Sequence, residues 1–157
     1  ETVAGVIDQR LIELAIELPN PAAPAANYVP YVVSGNLVFV SGQITGWNGE
    51  IKYTGIIGDD RTLEDGYEAA RICGLNLIAQ IKEACNGDLD RVQRVVKLGG
   101  FVACTPEFKK HPLVINGASD LMAEVFGDKG QHARFAVGAP SLPVDTLVEI
   151  DGIFEID

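Results

Sequence analysis

Cysteine, histidine, methionine and tryptophan are scarce in this 157-residue chain, with three, two, one and one copies. Cys73, Cys85 and Cys104 are odd in number and share no CxxC spacing. That excludes a zinc ribbon or a disulfide framework and suits reduced thiols in a cytosol. His111 and His132 are too few to form a clustered ligand set, so no metal and no other cofactor is expected. Basic residues are also short: 12 Lys and Arg face 22 Asp and Glu, for a net charge of −10. Nucleic-acid affinity rests on Lys and Arg releasing counterions from phosphates, so the field of this chain should repel RNA and DNA. No run approaches the ~18 apolar residues of a membrane span, and the N-terminus lacks the layout of a secretory signal. A cytoplasmic protein with no membrane partner is the expectation. There is no GxSxG elbow, no phosphate-binding GxxxxGK[ST] loop, and no cysteine matched to a histidine by spacing.

What the chain does have is an apolar content of 47% with an ordinary charged fraction of 22%. That composition is globular, and the length predicts one domain spanning residues 1–157. Val3 to Leu18 reads as an amphipathic helix, with Val6, Ile7, Leu11, Leu14 and Leu18 on one stripe. Pro19 ends it and opens a Pro/Ala-rich connector over 19–26 that cannot be helical. Two apolar runs then flank Ser34-Gly35-Asn36, which is hairpin punctuation. Residues 46–60 read as a loop with one short strand at Ile51–Tyr53. Thr62 with Asp65 forms a capping box for a helix carrying Tyr67, Ala70, Gly74, Leu77, Ile78 and Ile81 on one face, stopped by Asn86-Gly87. Val92–Cys104 is β-rich, Leu113–Phe126 is a second helix closed by Gly127, and strands follow at Arg134–Val137 and Leu147–Ile156. This order predicts one mixed sheet with helices on one face. Its other face needs a cover, which the first helix or a second copy of the chain would supply.

Alternation along the last two strands singles out two charges. Phe135 and Val137 share a face with Ala133, and Arg134 lies opposite with His132 and Ala136. Val148, Ile150, Phe154 and Ile156 share a face, and Glu149 lies opposite with Asp151. Burying both apolar stripes under the helices would place Arg134 and Glu149 together on the far face. A guanidinium fork matches a carboxylate two-to-two, and a nearby Glu holds or activates water. The alternative is a structural salt bridge between neighbouring strands. Other positions carry a similar choice. Tyr31 is a pocket wall or core packing, and Gly42, between Ser41 and Gln43, offers backbone N–H groups for an anion or simply ends a strand. Asn116 is a cap or a ligand contact, and His132 a structural or a catalytic imidazole.

Taken in order, certain segments resemble the RidA/YjgF family of enamine/imine deaminases. They are Pro30-Tyr31, Val40-Ser41-Gly42-Gln43, Gly87-Asp88-Leu89-Asp90-Arg91-Val92, Phe101-Val102, Val114-Ile115-Asn116, Ala133-Arg134-Phe135-Ala136-Val137, Leu142-Pro143 and Val148-Glu149-Ile150. The resemblance spans roughly residues 27–157, leaving residues 1–18 as an added helix expected to cap the outside of the assembly. It implies a chorismate-mutase-like α+β fold and a homotrimer with an active site in each intersubunit cleft. It also implies that Arg134 grips the carboxylate of a 2-imino acid, assisted by backbone at Gly42 and Ala136, while Glu149 positions the attacking water. Tyr31, Asn116 and His132 would line the site. Hydrolysis would then yield a 2-keto acid and ammonia, as in a 2-iminobutanoate/2-iminopropanoate deaminase. Many members carry Cys where this chain has Ala136, and His132, Gly138 and the 116–121 stretch mark a divergent subgroup. A trimer that binds a small carboxylate without turnover is the alternative, and an endoribonuclease fits the acidic charge least.

Overall fold

Thr62 and Asp65 open the long helix α2 (Leu63–Ala84) as their spacing predicts. Thr62 Oγ1 accepts the Asp65 N–H at 3.1 Å, and an Asp65 carboxylate oxygen accepts the Thr62 N–H at 3.0 Å. Two donors that a helix start would orphan are thereby satisfied. These bonds, led by the one to the Thr62 backbone, hold the Asp65 carboxyl below its ordinary value. At the other end Asn86 and Gly87 take φ of 54° and 89°, and the Gly87 N–H returns to the Lys82 carbonyl. Ala70, Gly74, Leu77, Ile78 and Ile81 are buried, while Tyr67 sits at the rim and donates its hydroxyl to Asp120 at 2.7 Å.

The computed structural model describes residues 5–157. Its main sheet has the order β1-β2-β7-β5-β6. The strands are β1 (Tyr31–Ser34), β2 (Leu37–Gln43), β5 (Val92–Ala103), β6 (Ala133–Ala139) and β7 (Val148–Ile156). β5 and β6 are parallel, joined through α3 (His111–Phe126), and the other pairings are antiparallel. This is the expected α+β mixed sheet with α2 and α3 on one face. The expected loop over 46–60 holds a second small hairpin, β3 (Gly46–Trp47) and β4 (Glu50–Ile51). Asn48-Gly49 turns it, with positive φ at both residues, the geometry that matches strand twist in a two-residue turn.

The first helix is shorter than its periodicity predicts. α1 covers Val6–Glu13, and Val3 lies outside the described residues. Ala15 at φ 55° turns the chain out of helix, and the Ile16 N–H bonds back to the Leu11 carbonyl. Ile16 and Leu18 still pack on the core from beyond the helix end, which is why the apolar pattern outruns the helix. α1 is fastened from a distance: the Asp90 carboxylate accepts the Val6 and Ile7 N–H groups at 3.0 and 2.9 Å. It packs on α3 and the 89–91 turn, so it leaves the far face of the sheet bare.

That bare face carries an apolar patch beside the charged Lys97, Glu149 and Asp151. Val32, Phe39, Phe101, Phe135 and Val137 stand 37–51% exposed, with Phe101 and Phe135 edge-to-face at 5.4 Å. Here the expectation for β6 is inverted. Phe135 and Val137 were expected beneath the helices and face away from them, and Arg134 turns toward α3. Alternation pairs residues on a face without saying which face meets the helices. Register does say it. Arg134 stands level with buried Leu98 and Ala136 with Gly100, where a Cβ would strike Ile115 of α3. Because β6 is an edge strand its helix side is half covered, so a long polar side chain can lie there with its head near water. On β7 the expectation holds: Val148, Ile150, Phe154 and Ile156 are buried, and Glu149 faces the other way.

Candidate active site

Arg134 is held by the first half of α3. Its Nη1 donates to Asn116 Oδ1 at 2.9 Å and Ser119 Oγ at 3.1 Å, and its Nη2 donates to the Pro112 carbonyl at 3.3 Å. A guanidinium carries five N–H donors, so Nε and one Nη2 hydrogen remain for a ligand. Among the described residues Arg134 forms no ion pair. Partial burial draws its pKa down and nearby Asp120 pushes it back, and the group stays charged throughout the physiological range. Behind it Ser119 Oγ lies 2.8 Å from His132 Nε2, and His132 Nδ1 lies 2.6 Å from the Gly130 carbonyl. The carbonyl requires Nδ1–H; in that tautomer of the neutral ring Nε2 accepts from the Ser119 hydroxyl, whose oxygen in turn accepts from Arg134. Arg134, Ser119 and His132 thus form one directed chain. Asn116, a candidate cap or ligand contact, orients the guanidinium, and His132 orients the serine.

Glu149 occupies a different place. It lies in a cleft of about 180 Å³ at the end of β2 and β7, with Gly42 on its floor and residues 22–25, Tyr28, Pro143 and Val144 around it. A Cβ at Gly42 would stand 2.7 Å from Glu149 Oε1, so glycine is what lets the carboxylate lie against the β2 backbone. The strand is irregular between Val40 and Gln43, which turns this stretch into the cleft. Burial pushes the Glu149 carboxyl above its ordinary pKa, and the charge of Asp151 adds to the rise. Asp151 is itself raised by burial, partly offset by the Gly99 N–H and Lys97. Two acids that share a face and whose charged forms are disfavoured by burial suit proton transfer.

In one chain the two charges do not meet. Glu149 is level with Phe101 and Phe101 with Val137, so Arg134 is two strand spacings (~9.6 Å) across and three residues (~10 Å) along. They also face opposite sides of the sheet, which overturns both a shared face and a direct salt bridge. Tyr31 is level with Val40, packs against the core and is not among the residues lining the Glu149 cleft. Ala136 has its small side chain on the helix side of the edge strand. Sequence reading also missed three features. Ser119 joins two candidates that alternation alone put side by side. The connector forms a wall of the cleft. Cys104 does have a matched histidine, its Sγ 3.4 Å from His111 Nε2 beside a cavity of about 240 Å³. Burial pushes that thiol up. A strand end and a helix start seven residues apart give no periodic signal for this pair.

With this geometry in view, comparison with known proteins decides the family. The family model described as "YjgF/chorismate mutase-like, putative endoribonuclease" matches residues 8–155. The chain belongs to this family. It is 46% identical to Protein TCP17 of Trypanosoma cruzi over 98% of the chain and 96% of that protein. The structure of Atu1372 from Agrobacterium tumefaciens, of unknown function, is 52% identical and superposes with a TM-score of 0.89, covering 97% of this chain and 94% of that one. The YjgF gene product of E. coli, 26% identical, matches at 0.59 over 88% and 96% of the two chains. The segment before residue 27, taken as an addition to the family domain, is largely within the matched length of the first two. Among the described residues, no helix is long and apolar enough to cross a membrane, and no three His, Cys, Asp or Glu converge as for a metal ion.

Proposed function

We propose that this YjgF-family chain hydrolyses small 2-imino acids to 2-keto acids and ammonia, at sites shared between neighbouring copies of a homotrimer. The observation that carries this reading is the Arg134 head, fixed by three hydrogen bonds yet holding two free N–H donors and no carboxylate partner among the described residues. A bidentate grip on a ligand carboxylate completes it. Glu149 then acts on water. The carboxylate takes a proton as the water oxygen bonds to the imine carbon, and the C=N electron pair moves to nitrogen, which gains a proton. The carbinolamine then collapses: its hydroxyl proton passes through the carboxylate to nitrogen, an oxygen electron pair forms the keto C=O, and the C–N bond breaks with its electrons leaving on ammonia. The raised Glu149 pKa lets one group both take and return that proton. Backbone N–H groups at Gly42 and Ala136 would assist, as the family resemblance implies. The apolar bare face supports assembly, since lone molecules rarely expose so many aromatic and branched side chains in one patch.

The test is complementation. Arg134→Ala and Glu149→Gln homo-oligomers should each be inactive in a coupled assay that generates imines with an amino-acid oxidase. Mixed one-to-one and re-equilibrated, they should regain about a quarter of wild-type activity, because that share of interfaces pairs two intact halves. No recovery on mixing, with wild type active, would show that one chain supplies the whole site. RNA cleavage is a poorer reading. The net charge of −10 opposes it, and any authentic cleavage would fall steeply with added salt.

A further inference from the structure

We infer that the connector between α1 and β1 is a fixed roof over the Glu149 cleft that limits ligands to short, uncharged side chains. This rests on the cleft being the reacting site proposed above. Four consecutive connector residues, Ala22 to Ala25, line the cleft together with Tyr28, and they present methyls, a proline ring and an aromatic ring. Proline and alanine offer little side-chain freedom, so a roof made of them loses little entropy in staying put. Its anchor is the buried amide of Gln80 on α2, 1% exposed, whose Nε2 donates to the Ala22 carbonyl at 2.8 Å. A second anchor lies upstream, where the Asn20 N–H donates to Asn48 Oδ1 at 2.8 Å. Further upstream the segment is bolted down by Leu11 in the core and by the Asp90 grip on the start of α1. The connector's own residues are exposed, yet a buried glutamine is spent on one of its carbonyls. The connector is positioned.

The size limit follows from volume. The cleft offers about 180 Å³, and a cavity of ~150 Å³ takes a benzene-sized body. A ligand that leaves its carboxylate on Arg134 therefore has room here for about six further heavy atoms. The charge limit follows from the floor. Glu149 lines the cleft, so a second carboxylate on the ligand would meet that acid beneath an apolar cover, with the charge of Asp151 nearby adding to the repulsion.

The experiment measures kcat/KM on imines made in situ from alanine, leucine, phenylalanine and glutamate, for wild type, Ala25→Leu and Gln80→Leu. Wild type should favour the alanine and leucine imines and reject the glutamate imine by about a hundredfold, within what differential pocket binding supplies. Ala25→Leu should cut the phenylalanine imine about tenfold or more while changing the alanine imine less than about threefold. Gln80→Leu should do the reverse, narrowing the gap between large and small side chains. If wild type turns nothing over, the same ranking is read from dissociation constants for pyruvate, 4-methyl-2-oxopentanoate, phenylpyruvate and 2-oxoglutarate. A ranking that both variants shift supports the roof even when turnover is absent, and then only the deaminase reading falls. An unchanged ranking in both variants, with melting temperatures showing both folded, overturns the roof while leaving deamination standing.

Discussion

Three hydrogen bonds hold the Arg134 head in place, whereas the Glu149 side chain receives none from the described residues and is shaped by what surrounds it. The first region is a rigid fork: α3 supplies Asn116, Ser119 and the Pro112 carbonyl, and His132 fixes the serine from behind. The second is a poised acid: burial raises its pKa, Gly42 lets it approach backbone, and the connector covers it. Binding a carboxylate calls for geometry set in advance. Moving a proton calls for a group whose charge is only weakly stabilised. Under the proposed function, the contrast between the two regions is a division of labour between orientation and proton affinity.

The strongest way to break the comparison is to keep the halves apart. Phe101→Lys places a charge at the centre of the bare apolar face and should convert the assembly to monomers, with imine hydrolysis falling to background. Analytical ultracentrifugation alongside the coupled assay checks this, and an active monomer would refute a shared site. Next in size is Arg134→Ala. Losing a charged hydrogen-bonding partner costs about 2–5 kcal/mol, so kcat/KM should drop roughly 30- to 5,000-fold while the melting temperature barely moves. Arg134→Lys should recover little, because a point charge cannot reproduce the fork.

Glu149→Gln sharpens the other side of the comparison. Activity should fall on the order of a hundredfold or more, the range for a lost general acid–base. Stability should move the opposite way, and its pH dependence is signed. A carboxyl whose folded pKa lies above its unfolded one binds protons more tightly when folded. The native state is therefore progressively penalised as pH rises from the ordinary glutamate value through the raised one. The glutamine variant escapes that penalty. Its melting temperature, measured without ligand, should exceed wild type by about 1–2 °C at pH 7.5 and match it at pH 4. No gain at pH 7.5 would mean the carboxylate is well solvated or already paired. The smallest effect belongs to Ser119→Ala, which removes the serine's bonds to Arg134 and to His132, a typical bond being worth about 0.5–1.5 kcal/mol. It should raise KM up to about tenfold with kcat little changed, since Asn116 and Pro112 still hold the guanidinium. A loss in kcat instead would give the serine–histidine chain a chemical role.

Much of the frame was legible because its signals are local. The Thr62–Asp65 box, the Gly35 turn and the Asn86-Gly87 stop each act within a few residues, and all appear where their spacing places them. The site was legible in part. Arg134, Asn116 and His132 come together, but Ser119, which ties two of them, had no pattern to mark it. Tyr31 faces the core, and Cys104 finds His111 across a junction that carries no period. α1 shows the opposite error, an apolar stripe that continues after the helix has ended.

By itself the sequence determined which residues alternate on each strand, where α2 starts and stops, and that the chain carries a net charge of −10. Only the tertiary structure decided that Arg134 turns toward α3 while Glu149 turns away. Alternation has a period of two and is indifferent to which side is buried; the choice is made by the strand or helix that comes to lie alongside, through register with β5 and contact with α3. The same holds for the roof of the Glu149 cleft, since a Pro/Ala connector carries no mark of the buried amide that will seize its carbonyl.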